Sequence, residues 1–264
     1  MAIVAHAPEP RFVLASDGTE LATYDAGDPD APAVLAVHGF SSSASANWWA
    51  TGWARELTRS GHRMVAFDQR GHGRSGKPHE PAAYSMTGLV ADVHTVLDTY
   101  LLSEVALVGY SLGARVGWHV ALASPHLVSR AVFGGIPDGT PLTRFRVDEA
   151  LAFARAGTPV EDRLTKAYVD MALGVRGNDL EALIALVGGM QGGLQPDPAD
   201  PPQQPVLFAT GTEDRILEAS QRLAAATPHG SFFAVPGRNH FNAPTSRAFR
   251  DRALEFLAET GPGA

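Results

Sequence analysis

Apolar and polar residues follow one another along the chain in two spacings, one typical of strands and one of helices. Short continuous apolar runs are typical of strands buried on both faces of a parallel sheet. They lie at 33–37, 64–67, 104–108, 128–133, 205–210 and 231–235. Segments with helical spacing separate them, at 53–60, 85–100, 112–123, 216–226 and 245–258. Strands that alternate with helices predict an α/β fold with a mostly parallel central sheet flanked by helices.

The first two strands are predicted to pair differently from the parallel strands that follow. Segments 11–15 and 21–25 are strand-like and flank Asp17-Gly18. Asp-Gly between two such segments is typical of a tight hairpin turn, so we expect the sheet to open with antiparallel strands.

Residues 140–202 interrupt the alternation. They contain no convincing strand, and helical spacing occurs at 148–156, 160–173 and 178–187. A connector rich in proline and aspartate follows at 195–202 and cannot continue a helix. We therefore predict a core domain formed by 1–139 and 203–264, with a small helical cap inserted at 140–202. Such a cap would lie over the carboxyl ends of the strands, where open α/β sheets bind ligands; the alternative is that it only thickens one side of the domain.

The most informative motif is Gly109-Tyr110-Ser111-Leu112-Gly113, which joins an apolar run to a helical segment. Glycines at both ends of this motif permit a very sharp strand-to-helix turn that exposes the central serine. The N-terminus of the following helix directs its free N–H groups toward the same point. The motif predicts that Ser111 is a nucleophile.

A serine hydroxyl becomes a strong nucleophile only when a base accepts its proton, and that base is typically a histidine oriented by a carboxylate. His240 lies in a loop after the last predicted strand and is the predicted base. In this chain order the carboxylate should lie between the serine and the histidine. Asp214, in the turn after strand 205–210, is the predicted partner, with Asp138 and Glu213 as alternatives.

An oxyanion formed on a substrate needs two donors directed at one oxygen. The backbone N–H groups of Leu112, next to the serine, and Phe40, after the first parallel strand, are the predicted donors. Trp48 and Tyr110 are candidates for the wall of a substrate pocket. Arg115, one helical turn after the serine, is expected to form a structural ion pair rather than to bind substrate.

Composition narrows the function further. The chain has 264 residues, a net charge of −7 and no cysteine, so disulfides and cysteine-ligated metals are excluded, and nucleic acid and anionic membranes are unexpected partners. His79, Asp92 and His94 lack a convincing ligand spacing, so we expect no metal. No signal peptide or apolar run of ~20 residues is evident, so we expect a cytoplasmic protein.

The sequence leaves the oligomeric state open.

Five motifs occur in an order that resembles the α/β-hydrolase fold superfamily, and the resemblance extends from about residue 12 to residue 256. The motifs are His38-Gly39-Phe40, Asp68-Gln69-Arg70-Gly71-His72-Gly73-Arg74-Ser75, Gly109-Tyr110-Ser111-Leu112-Gly113, Gly211-Thr212-Glu213-Asp214 and Gly237-Arg238-Asn239-His240-Phe241. The chain departs from the family at Tyr110, where histidine is commoner. The resemblance implies a cofactor-free hydrolase. Members that act as haloalkane dehalogenases or epoxide hydrolases carry aspartate at the nucleophile position, and Ser111 argues against both activities.

The expected function is therefore hydrolysis of a small carboxylic ester through an acyl-enzyme on Ser111. The alternative is a C–C bond hydrolase or enol-lactonase that uses the same Ser111, His240 and Asp214. A third possibility, from another functional class, is a ligand-binding protein of the same fold without turnover. The expected partner is a small molecule with an ester or related carbonyl group.

Overall fold

One eight-stranded sheet organises the chain in the computed structural model, which describes residues 6–140 and 142–259. The strands are β1 (Arg11–Leu14), β2 (Glu20–Ala26), β3 (Ala33–Val37), β4 (Arg63–Phe67), β5 (Val105–Tyr110), β6 (Val128–Gly134), β7 (Val206–Gly211) and β8 (Gly230–Val235). Their order is β1-β2-β4-β3-β5-β6-β7-β8. The β1–β2 and β2–β4 pairings are antiparallel, and the other pairings are parallel. The predicted α/β fold class is confirmed.

Eight α-helices lie between or after these strands within the same described residues. They are α1 (Trp53–Arg59), α2 (Met86–Thr99), α3 (Leu112–Ala123), α4 (Val147–Ala156), α5 (Arg163–Gly174), α6 (Leu180–Met190), α7 (Leu217–Ala226) and α8 (Arg247–Ala258). Side-chain caps decide several boundaries: Ser85 accepts a hydrogen bond from the N–H of Gly88, and Asp162 from that of Thr165. Helix α5 consequently begins at Arg163, three residues after the predicted start. None of the helices in the described part of the chain is long and apolar enough to span a membrane.

Consecutive residues of the parallel strands face opposite sides of the sheet. Along β3, Val34 and Ala36 pack on the side covered by α1 and α8, whereas Leu35 and Val37 pack on the side covered by α2, α3 and α7. Because both faces are buried, these strands are continuously apolar rather than alternating. This explains why the apolar runs located the strands so well.

The loops that follow β3 and β4 are tied together at the carboxyl edge of the sheet. The carboxylate of Asp68 accepts hydrogen bonds from the N–H groups of Ala44 (2.7 Å) and Arg74 (2.8 Å). The N–H of Ser41 donates to Nε2 of His72 at 3.1 Å, and burial lowers the pKa of His72, so the ring is a neutral acceptor. These bonds hold the Phe40 backbone in place.

The inserted helices α4, α5 and α6 lie between β6 and β7 and are anchored to the same loops. The side-chain amide of Asn178 donates to the carbonyl oxygen of Ser41 at 2.9 Å and accepts from the N–H of Gly73 at 2.7 Å. Helix α6 also packs against the short turn Pro81–Ala83. The insertion therefore contacts the loops after β3 and β4; its description as a separate cap domain at 140–202 stays a prediction.

Arg70 forms a buried ion pair that connects three segments. Its guanidinium donates to both carboxylate oxygens of Asp92 on α2, at 2.7 and 2.6 Å, and to Asp17 in the β1–β2 turn at 2.6 Å. Asp92 is 1% exposed, whereas the side chain of Asp17 is 47% exposed. Loss of a buried partner leaves a buried charge uncompensated, but an exposed pair contributes little.

We therefore expect Asp92→Asn to lower the free energy of unfolding by about 3 kcal/mol and Asp17→Asn to lower it by less than about 1 kcal/mol. Urea unfolding of the two variants and the wild type measures both values. Equal losses would contradict the assignment of the Asp92 contact as the buried anchor.

Candidate active site

Ser111 lies at the point where β5 ends and α3 begins, in a strained backbone conformation. Its φ is 52° and its ψ is −112°, which is rare for a residue with a side chain. A Cβ atom at Gly109 would lie 2.6 Å from the carbonyl oxygen of Gly113, and one at Gly113 would collide with the carbonyl oxygen of Val37. Only glycine fits at these two positions, so the motif places the serine hydroxyl at the tip of the turn.

The structure brings Ser111, His240 and Asp214 into one hydrogen-bonded row. Nε2 of His240 lies 2.9 Å from Oγ of Ser111, and Nδ1 lies 2.8 Å from Oδ2 of Asp214. Oδ1 of Asp214 accepts from the N–H of Ile216 at 3.2 Å, which orients the carboxylate. A neutral imidazole that donates Nδ1–H to Asp214 leaves Nε2 as the acceptor for the serine proton. The arrangement can therefore generate a serine nucleophile.

The two alternative carboxylates are placed elsewhere. Asp138 pairs with Arg222 at 2.8 Å, and Glu213 is exposed to solvent beside Asp214. Of the three candidates, the structure brings Asp214 to His240.

The predicted oxyanion donors lie on both sides of Ser111. Gly39 packs so closely on the serine turn that a Cβ there would lie 3.3 Å from Cβ of Ser111. Phe40 follows in this loop, and Leu112 begins α3. Within the described residues, neither N–H group donates a backbone hydrogen bond, so both are available to a bound oxygen. Their role in stabilising an oxyanion stays a prediction.

A cavity of about 470 Å³ opens above Ser111 and His240. The inserted segment contributes much of its wall, including Phe145 and Tyr168. The ring of Phe40 packs against both, with ring centroids 5.9 Å from that of Phe145 and 5.2 Å from that of Tyr168. The volume lies within the range of ~300–1,000 Å³ that is common for small-molecule sites. Sequence reasoning missed both inserted aromatic residues, because an aromatic residue in an amphipathic helix or a turn is not distinguishable from ordinary core.

Tyr110 and Trp48, the predicted pocket residues, have different surroundings. Tyr110 lines a much smaller cavity beside Ser111, and its hydroxyl donates to the carbonyl oxygen of His240 at 2.6 Å. Burial raises the pKa of Tyr110, so this hydroxyl stays protonated. Trp48 does not line either cavity: it is 1% exposed and packs edge-on against Trp53, with ring centroids 5.7 Å apart. The expectation for Trp48 is corrected, because its ring fills the core beneath the sheet.

The expectation for Arg115 is also corrected. Its Nη1 donates to the carbonyl oxygen of Gly139 at 2.6 Å, and no carboxylate within the described residues forms an ion pair with it. The side chain lines the cavity instead. No group of three or more His, Asp or Glu side chains in the described part of the chain is arranged to hold a metal ion.

The chain resembles known proteins in sequence and in fold. A family model for the alpha/beta hydrolase fold matches residues 32–162. Epoxide hydrolase B of Mycobacterium tuberculosis is 35% identical over 130 residues, which are 47% of this chain and 35% of that protein. The chain spans about a third to a half of the length of the curated relatives it matches.

Two solved structures superpose on almost the whole chain. The enol-lactonase from Burkholderia xenovorans LB400 has a TM-score of 0.76 and 22% identity, over 94% of this chain and 100% of that one. A carboxylesterase of Nitrososphaera gargenis has a TM-score of 0.77 and 18% identity, over 94% and 98%. At these identities the likeness concerns the fold. The strand order, the family match over residues 32–162 and these superpositions together show that the chain has the α/β-hydrolase fold.

Proposed function

We propose that this protein is a serine hydrolase that cleaves small carboxylic esters through an acyl-enzyme on Ser111. The observation that carries the proposal is the continuous row from Ser111 through His240 to Asp214, with contacts of 2.9 and 2.8 Å. Three side chains from distant parts of the chain meet with the spacing that proton transfer requires.

The geometry supports the following sequence of steps. The hydroxyl of Ser111 attacks the ester carbonyl while Nε2 of His240 accepts its proton, and Asp214 stabilises the imidazolium that forms. The N–H groups of Phe40 and Leu112 donate to the negative oxygen of the tetrahedral intermediate. His240 then returns the proton to the departing alcohol. A water activated by His240 finally releases the acid and regenerates the serine.

The choice of a carbonyl substrate over an epoxide follows from the nucleophile. Epoxide hydrolase B is a curated relative, and epoxide opening by a carboxylate produces an ester that water can cleave. Opening by a serine hydroxyl would instead produce an ether, which the same histidine and water cannot hydrolyse. Ser111 therefore favours esters, including lactones, which are internal esters.

We expect Ser111→Ala to abolish hydrolysis of a short-chain p-nitrophenyl ester, with a loss of ~10⁴- to 10⁶-fold in kcat. In the wild type, a fluorophosphonate probe should add one label to Ser111, which peptide mass spectrometry locates. Retention of activity in the alanine variant, or a label on another residue, would remove Ser111 from the mechanism.

We expect Asp214→Asn to lower kcat by ~10⁴-fold, because the amide does not hold His240 in the correct tautomer. Asp138→Asn and Glu213→Gln are matched controls, since neither carboxylate contacts His240, and each should keep kcat within about threefold of the wild type. Steady-state kinetics on the same ester compare the three variants. A larger loss in either control than in Asp214→Asn would transfer the orienting role to that residue.

We expect the wild type to produce no diol from styrene oxide under conditions in which it hydrolyses the p-nitrophenyl ester. The physical reason is the stability of the serine ether described above. Chromatographic detection of diol tests this, and catalytic diol formation that requires Ser111 would contradict the preference for carbonyl substrates.

A further inference from the structure

A buried guanidinium lines the cavity one helical turn from the nucleophile. Arg115 is 5% exposed, yet it contributes to the wall that also contains Ser111 and His240. Its backbone N–H donates to the carbonyl oxygen of Ser111 at 3.0 Å, so the two residues occupy positions i and i+4 of the same helix face. The charge and the nucleophile therefore face the same space.

The hydrogen-bonding capacity of this guanidinium is largely unused. An arginine carries five N–H donors, and within the described residues the Arg115 side chain makes one hydrogen bond, from Nη1 to Gly139 at 2.6 Å. Asp138 is the acidic group whose charge acts on Arg115, but its carboxylate is already paired with Arg222 at 2.8 Å. A buried charge without a counter-charge is costly, and such a cost is tolerated where a ligand supplies the missing partner.

The guanidinium stays charged at neutral pH. Burial lowers the pKa of Arg115 to about 10, which is still well above 7. Tyr168 also lines the cavity, and its hydroxyl makes no side-chain hydrogen bond within the described residues. Arg115 and Tyr168 are thus two polar residues beside the aromatic rings of Phe40, Phe145 and Phe241 in the cavity wall.

The rim of the cavity is positively charged, like Arg115 in its wall. Arg144, Arg163 and Arg215 line it and are exposed, and within the described residues none of them forms an ion pair. Glu213 is the rim carboxylate without an ion-pair partner there. In a chain with a net charge of −7, this local excess of cations favours the entry of an anion.

We propose that the substrate is an ester that carries a carboxylate group, and that Arg115 binds this carboxylate while Ser111 attacks the ester carbonyl. The proposal rests on the serine hydrolase function and adds the class of substrate. A planar guanidinium pairs with a carboxylate through two parallel hydrogen bonds, which fixes both distance and orientation. Arg115 is thus a substrate-binding residue, and the aromatic wall surrounds the apolar part of the ester.

The test compares two esters of equal length. The p-nitrophenyl half-ester of adipate ends in a carboxylate, and p-nitrophenyl hexanoate ends in a methyl group; rates in Ser111→Ala are subtracted as background. We expect the wild type to prefer the half-ester by about 10- to 100-fold in kcat/KM. Arg115→Met should remove at least tenfold of that preference, and Arg115→Lys should retain part of it. Arg155→Met is the matched control, because this exposed arginine does not line the cavity and its loss should leave both rates unchanged.

The outcomes separate this proposal from the proposed function. Hydrolysis of both esters without preference for the half-ester would overturn carboxylate recognition and leave the serine hydrolase intact. Equal losses on both esters in Arg115→Met would assign Arg115 to the structure of the Gly139 loop and also overturn it. If Arg115→Met does not fold, Arg115→Lys takes its place. Competitive inhibition by adipate and by its neutral analogue adipamide is then measured for Arg115→Lys and for the wild type.

If neither ester is cleaved, the proposed function fails, and binding decides the present inference. A rise in the melting temperature with adipate but not adipamide, reduced in Arg115→Lys, would still support the carboxylate site. Equal effects of both compounds would overturn it.

Discussion

The close contact between the serine turn and the end of β3 is the constraint on which the site depends. Gly113 sits directly against the carbonyl oxygen of Val37, and Gly39 packs on Cβ of Ser111. Any side chain at Gly113 would force these two segments apart and would move the nucleophile away from the N–H of Phe40. The strain at Ser111, with φ at 52°, is maintained because pairing of β5 with both β3 and β6 holds the strand on either side.

Parallel strands explain why residues so far apart in sequence can meet. Ser111, Asp214 and His240 each follow a strand, and the carboxyl ends of parallel strands share one edge of the sheet. The loops at this edge are held by buried polar side chains such as Asp68 and His72. These side chains accept hydrogen bonds from loop N–H groups that no strand or helix satisfies. Rigid strands supply the position of each group, and the loops supply its direction.

The electrostatics of the cavity differ from those of the molecule as a whole. The chain carries a net charge of −7, yet the wall near the nucleophile contains the buried cation Arg115 and a cationic rim. Overall charge therefore describes the solubility of this protein, whereas the substrate responds to the local field inside a low-dielectric pocket. A carboxylate-bearing ester, as proposed, fits a positively charged cavity in a protein whose net charge is negative.

Much of the fold was determined by local patterns in the sequence. Apolar runs located the parallel strands because burial on both faces demands apolar side chains at every position, and the glycines around Ser111 identified the turn because no other residue fits it. His240 and Asp214 could be predicted because chain order and loop position restrict the choice. Strand ends were located less accurately: β5 extends to Tyr110, two residues beyond the predicted end, because Gly109 and Tyr110 still pair with β6.

Only the tertiary structure decided which side chains face the cavity. Trp48 packs into the core and Arg115 faces the pocket, the reverse of what their neighbourhoods in the sequence suggested. The sequence alone did not decide whether Asp214 or Asp138 contacts His240. In the structure Asp138 pairs with Arg222, which lies 84 residues further along the chain. Periodicity records whether a position is buried, but whether it is buried against core atoms or against an open cavity depends on the elements packed over it. The inserted helices supply those elements here, and no local pattern specifies how they pack.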